Sequence, residues 1–330
     1  MDLENILLHT MCKAAPAPLG RPPPSRAENA ITWCARGAVV ATVACAAAGG
    51  PADAAVAWAW RRLLAMPATH NCMCEALVAT ASFWAWITLY QLLDTVDALA
   101  RRFRLDRAPA KPFAENHSAR GAVEAGVYVG AVALFHLARA RAPLERAPPT
   151  AARLVFELAF GLIAYDGAFF FLHRLLHARR APRWLRRAHR AHHGGDDAAA
   201  AAGGALRASA TTHHSLLDGT LQVVVNVLVQ QRAPCWVDGR LWPGLRAKHD
   251  LARLWHNVAV TYMLVECHSG WDAPWGMHRV APGLLGGAPA HERHHAGGDV
   301  CFAQFSTYLD RLCGTGPGAK RSPPAGAADK

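Results

Sequence analysis

ALVATASFWAWITLYQLL, residues 76–93, is an uncharged run of 18 residues, and at 1.5 Å per residue that is the lower limit for a helix crossing a bilayer. Three runs of similar length accompany it. Residues 31–48 are apolar apart from Arg36, residues 122–138 contain Glu124 and His136, and residues 154–172 contain Glu157 and Asp166. Ionisable groups inside a span usually face a bundle interior or a functional cavity, so the last two runs predict packed helices. Two weaker stretches, 216–229 and 254–265, are each short for a full span. Together they predict a hairpin that dips into the membrane and returns. The expected fold is all-α, a polytopic integral membrane helical bundle.

Of the 330 residues 52% are apolar, many of them Ala, and the formal charge is +11. The placement of that charge decides what it means. Seven arginines and no acid occupy 174–190, directly after the 154–172 run, and Arg101, Arg102, Arg104, Arg107 and Lys111 come after the 76–93 run. Two crossings separate these segments, so both fall on one face, and the positive-inside rule makes that face cytosolic. Basic arms beside a membrane bind anionic headgroups. No helix-turn-helix, zinc finger or aromatic RNA-binding signature accompanies them, which argues against nucleic acid. The nine cysteines are odd in number and scattered, unlike a disulfide framework and consistent with a reducing compartment. No charged-then-apolar signal peptide precedes the first span, so targeting is expected to rest on an internal signal anchor. Asn116-His117-Ser118 is a glycosylation sequon that this topology places on the cytosolic side.

The expected domain organisation is a flexible Pro-rich start over 1–30, membrane helices over 31–150 closed by Pro148-Pro149, a catalytic region over 151–315, and a disordered tail over 316–330. Within the third unit, 194–210 is a low-complexity Ala/Gly run. Fourteen of the 18 histidines lie between His173 and His295. Three clusters carry the chemistry: His173 with His177, then His189 with His192 and His193, then His291 with His294 and His295. Residues three and four apart share one face of a helix, so the clusters present two, three and three imidazoles on single stripes. Neutral imidazole suits iron, zinc and copper. Eight such groups are too many for one zinc, which takes about four ligands; they suit a dinuclear site with positions left open for O2 and water. Asp166, seven residues before His173, is placed to orient a ligand from behind. His9, His70, His117, His136 and His249 read as ordinary surface or core histidines.

This HxxxH, HxxHH, HxxHH order beside membrane spans resembles the fatty acid hydroxylase and sterol desaturase superfamily, over roughly residues 160–315. Within it, His268-Ser269-Gly270-Trp271, the later Pro274-Trp275 and His278-Arg279 resemble an HSGY…PW…HR segment of the sterol-oxidising members, the cholesterol 25-hydroxylases and 4-methylsterol oxidases. Cys301-Phe302-Ala303 and the 310–315 segment resemble the stretch after the last histidine box of those members. The resemblance implies that His173, His177, His189, His192, His193, His268, His291, His294 and His295 bind two irons. It leaves His213, His214 and Ser215 competing for a further ligand-like position with Asp218 as the accompanying acid, so that His214 joins the metal set as a candidate. Asp272 stands where some relatives have a histidine and is taken as an outer partner; the role of His278 stays open. The implied activity is O2-dependent hydroxylation of a membrane lipid, a sterol first, at an endoplasmic-reticulum membrane with the catalytic face cytosolic. No GxGxxG lies in a strand–turn–helix context, so electrons from NAD(P)H are expected through a separate reductase and cytochrome b5, with Arg183, Arg186 and Arg187 read either as a docking face for that carrier or as a face toward lipid headgroups. The alternatives are a 4-methylsterol oxidase, a fatty acid or ceramide hydroxylase, a zinc hydrolase with Glu292 as base, and a non-catalytic metal-binding homologue.

Overall fold

The computed structural model describes residues 23–111, 113, 119–138, 142–190, 192–193, 206–231, 233–237, 240–316 and 318–319. The Pro-rich residues before 23, Asn116, most of the low-complexity run and nearly all of the tail lie outside them. In chain order the helices are α1 (Arg26–Ala48), α2 (Pro51–Leu64), α3 (Cys74–Asp94), α4 (Asp97–Phe103), α5 (Ala119–Ala138) and α6 (Ala151–His177). They continue with α7 (Arg183–Arg190), α8 (Leu216–Gln231), α9 (Asp250–His268), α10 (Met277–Val280), α11 (Gly287–Gly297) and α12 (Tyr308–Leu312).

Local chemistry sets the ends. Ser25 and Glu28 form a capping box that starts α1 at Arg26, several residues before the expected end of the flexible start. Thr150, directly after Pro148-Pro149, caps α6 by accepting from the Arg153 amide. The polytopic helical bundle is present: α1, α3 and α6 are long and apolar enough to cross a membrane. The expected run at 122–138 lies in α5, a 20-residue helix. Trp33, Val39, Val40 and Val43 on α1 remain exposed, as lipid-facing side chains do.

The expectation of an all-α chain needs one correction. Between α8 and α9 the backbone forms an antiparallel hairpin, β1 (Ala233–Val237) and β2 (Arg240–Arg246), with Val237 opposite Arg240. Asp238-Gly239 separates the strands, the dipeptide that favours a two-residue hairpin turn. The out-and-back course expected of the two weak stretches is otherwise seen. The start of α8 and the end of α9 both reach the histidine cluster, through Asp218 and His268.

Helix α9 is the spine, packing against α3, α6 and α11. On one side Ile87, Tyr90, Phe103, Val265 and Trp271 close together; on another Tyr165, Phe169, Val260, Met277 and Phe305 do so. In lipid the tails are as apolar as these side chains, so close packing and interhelical hydrogen bonds hold such contacts. A buried polar knot ties the cytosol-predicted segment after α3 to this spine. The Arg104 guanidinium pairs with Asp94 at 3.0 Å and Asp106 at 2.9 Å, and donates to the Leu206 and Ser269 carbonyls. Asp94 also accepts from Arg207 at 2.8 Å and from the Trp271 indole at 2.9 Å. Arg104 thus lies against Ser269, next to His268, and the basic segment after α6 carries His189 into the same cluster, so both basic segments sit at the end of the bundle that holds the histidines.

Asp94→Ala would take one carboxylate from the buried Arg104 guanidinium and one from Arg207. Breaking a buried pair from one side costs about 3 kcal/mol, so the variant should unfold in detergent at a clearly lower temperature than the parent chain. An unchanged melting curve would show that the knot carries no stability.

Candidate metal centre

Four elements aim imidazoles at one space. The end of α6 brings His173 and His177, one turn apart; α7 and the turn after it bring His189, His192 and His193. The last residue of α9 is His268, and α11 carries His291, His294 and His295. The nine form two groups. His173, His177, His189, His193 and His294 make one, and His192, His268, His291 and His295 the other, with the ligand atoms of each group within 4.8 Å of one another. Each HxxHH box is split the same way. The second box gives its outer pair, His189 and His193, to the first group and His192 to the second; the third gives His291 and His295 to the second group and His294 to the first. In the third box positions one, four and five share one broad face of α11, and in the second box the same division is reached across the turn after α7.

The outer nitrogens fix which inner atom is free. The Nδ1–H groups of His173, His268 and His294 donate to the carbonyls of Phe302, Leu264 and Val300, each at 2.8 Å. His192 Nδ1 donates to the His213 carbonyl at 3.3 Å, and His189 Nδ1 to the Asp218 carboxylate at 3.2 Å. A carbonyl only accepts, so these rings carry their proton on Nδ1 and turn a bare Nε2 inward. The Nε2 atoms of His192 and His268 are 3.1 Å apart, and neither has a proton to share. That contact sets lone pair against lone pair, which is repulsive in a buried site unless a cation lies between. Nε2 of His173 is buried with no protein partner among the described residues. Burial, then the charge of neighbouring imidazoles, holds His192, His193, His291, His294 and His295 below the usual histidine range. They are therefore neutral near neutral pH, the form that ligates. Donor type, tautomer and convergence all fit two metal ions.

The remaining candidates fall around this centre. The His214 ring lies 6.5 Å from the His192 ring and belongs to neither group. His213 supplies the carbonyl that orients His192, and the Ser215 hydroxyl accepts from the Asp218 amide at 3.2 Å. Asp166 accepts from the Phe305 and Ser306 amides at 2.7 and 3.1 Å and from the Ser306 hydroxyl. It steadies the segment whose Phe302 carbonyl holds His173, and so acts one step further out than the sequence suggested. Asp272 is engaged by His278 at 2.7 Å and by Arg279. Direct orientation comes from backbone carbonyls and from Asp218. The sequence signal for Asp218 was only its place after the contested His213-His214-Ser215 run.

Residues 158–315 match the sequence profile of the fatty acid hydroxylase family. They form a fatty acid hydroxylase domain. The match coincides with the region of resemblance and contains all nine clustered histidines. Among curated proteins, a cholesterol 25-hydroxylase of Rattus norvegicus is 32% identical over 190 residues, covering 57% of this chain and 56% of the relative. That of Homo sapiens is 29% identical over 190 residues, covering 57% of this chain and 61% of the relative. A putative methylsterol monooxygenase of Dictyostelium discoideum is 45% identical over 67 residues, 20% of this chain and 25% of the relative. The chain thus spans little more than half the length of the mammalian relatives it matches. No solved structure matches.

Because the Asp218 carboxylate orients His189 of the five-histidine group, its removal tests the outer layer of the fatty acid hydroxylase domain. Asp218→Ala should weaken metal binding about 10–100-fold, read by metal titration of the stripped protein with the helical circular dichroism unchanged. Equal affinity in the two proteins would remove Asp218 from the site.

Proposed function

We propose that this chain is an O2-dependent hydroxylase of a membrane lipid, a sterol, built on two histidine-bound irons. The observation that carries the reading is the division of nine buried imidazoles into groups of five and four. At six positions per ion, that leaves places for O2 and water. A single zinc takes about four ligands and would leave the other histidines idle. Iron, when bound, supplies the reduction of O2 that breaking an unactivated C–H bond demands and no side chain can provide.

The chain's own residues do the rest. The carbonyls of residues 213, 264, 300 and 302 hold four rings, so the centre is organised before substrate arrives. Tyr165, Phe169, Met277 and Phe305 pack into the apolar wall beside it. The names of the relatives support a sterol over a fatty acid or ceramide, and side-chain attack ahead of a 4-methyl group. Electrons would come from NAD(P)H through a separate reductase and cytochrome b5, with exposed Arg183 and Arg187 and the partly exposed Arg186 as a basic docking face. The protein would lie in the endoplasmic-reticulum membrane with this end in the cytosol.

His192 and His294 belong to different groups, which makes the metal test specific. Anaerobic reconstitution should load about two irons per chain, and His192→Ala and His294→Ala should each lose iron and lipid oxidation while the chain still inserts. Full activity with one zinc would overturn the reading. Orientation has its own check: Asn116 should stay unmodified in cells, and a glycosidase-sensitive mass shift abolished by Asn116→Gln would place the histidine end in the lumen.

A further inference from the structure

A second polar cluster, unused by the metal centre, lies deep in the bundle. Lys248 and His256 are 2% and 0% exposed. A Cβ added at Gly161 would come within 1.7 Å of the Lys248 ammonium, so the glycine lets that charge lie against the backbone of α6. Gly161 is ten residues into a helix of 27 that is apolar enough to span a bilayer. An ionisable group at such depth is costly and is ordinarily there for a function.

The hydrogen bonds of this cluster run in one direction. An ammonium only donates, so Lys248 Nζ donates to His256 Nδ1 at 3.2 Å and His256 Nε2–H donates to Asn226 Oδ1 at 2.9 Å. Asn226 then donates to Asn257 Oδ1 at 3.3 Å, and Gln230 Nε2 donates to that same oxygen at 3.0 Å. One acceptor remains: Gln230 Oε1 is buried and has no partner among the described residues. A buried acceptor without a donor is expensive, and it is matched by a ligand that brings an O–H. The polar groups nearer the start of α6 differ, since Arg153, Glu157 and Glu145 satisfy one another.

Spacing relates this cluster to the histidines. Gly161 precedes His173 by twelve residues on α6, His256 precedes His268 by twelve on α9, and Gln230 comes twelve after Asp218 on α8. Twelve residues of helix rise about 18 Å. Between the two polar ends the bundle offers apolar, only partly buried side chains: Leu162, Leu172, Val225, Val229, Met263 and Leu264. An extended sterol has this pattern, with one hydroxyl, a rigid apolar body, and a branched chain ending far from the hydroxyl.

We infer that the Lys248–His256–Asn226–Gln230 cluster is the anchor for the ring hydroxyl of a sterol, which lays the end of the side chain, and not a carbon beside the hydroxyl, at the histidine centre. This rests on the sterol reading above and sharpens it. A methyl group on the ring carbon next to the hydroxyl would be held some 18 Å from the metals, so attack on a 4-methyl group is disfavoured by the same geometry.

Two measurements test it. Binding of tritiated cholesterol to the metal-free full chain in detergent, competed by the 3-deoxy analogue, should show about tenfold preference for the hydroxyl-bearing sterol, and Gln230→Leu should bring that ratio near one. Since the native chain with the two sterols is itself a test, failure of the variant to fold leaves the question decidable. Equal affinity of the native chain for both sterols overturns the anchor, as does a Gln230→Leu protein that keeps the preference. In membranes with reductase and cytochrome b5, supplied with labelled cholesterol and a labelled 4-methylsterol, oxidation should fall on the sterol side chain. Oxidation of a 4-methyl group instead overturns the anchor and leaves the sterol reading standing, whereas 2-hydroxy fatty acids with no sterol product remove the sterol reading as well.

Discussion

The bare Nε2 atoms of His192 and His268 face each other at 3.1 Å in a buried space. Each has its proton committed outward, to the carbonyls of His213 and Leu264. Much of the surrounding architecture holds lone pairs together that repel one another until a cation joins them. The N-terminal helices take part through Arg104, which lies outside the fatty acid hydroxylase domain yet donates to the Leu206 and Ser269 carbonyls within it and is paired with Asp94. Asp166 takes part through the amides of Phe305 and Ser306. A site this crowded with lone pairs is expensive to assemble without a cation, so a metal bound there would also stabilise this end of the bundle.

Helix α9 connects this constraint to the membrane. It contributes one histidine at its end, yet it packs against α3, α6 and α11 and so fixes the distance between the basic, histidine-bearing end and the middle of the bundle. Its polar residues are arranged by depth. Arg253 pairs with both Asp250 and Glu75 near its start, His256 and Asn257 lie in the buried cluster with Lys248, and His268 closes it. One helix therefore serves as a ruler between two polar places in an apolar medium, where each unpaired polar group is costly.

Much of this was legible in the chain because it is local. The membrane runs at 76–93 and 154–172 needed only composition, and the three boxes needed only the three- and four-residue spacing that brings imidazoles to one helical face. The hairpin at residues 233–246 was missed although Asp238-Gly239 advertises it, since the two apolar stretches either side drew the reading toward helices alone. Asp166 was read as touching a ligand because spacing shows which face a residue shares and not which segment crosses that face.

The sequence by itself determined that this is a polytopic helical bundle with clustered histidines at its basic end, since helix formation, span length and box spacing are properties of neighbours along the chain. Only the tertiary structure decided that each HxxHH box divides its histidines between two groups, that His268 joins the second while His214 stands outside both, and that backbone carbonyls and Asp218 fix the tautomers. It alone also set Lys248 against Gly161, about eighteen ångströms of helix from the metal centre. Those facts depend on how α6, α7, α9 and α11 are rotated against one another. That rotation is settled by packing between residues more than a hundred positions apart, such as His193 and His294, and no local pattern encodes it.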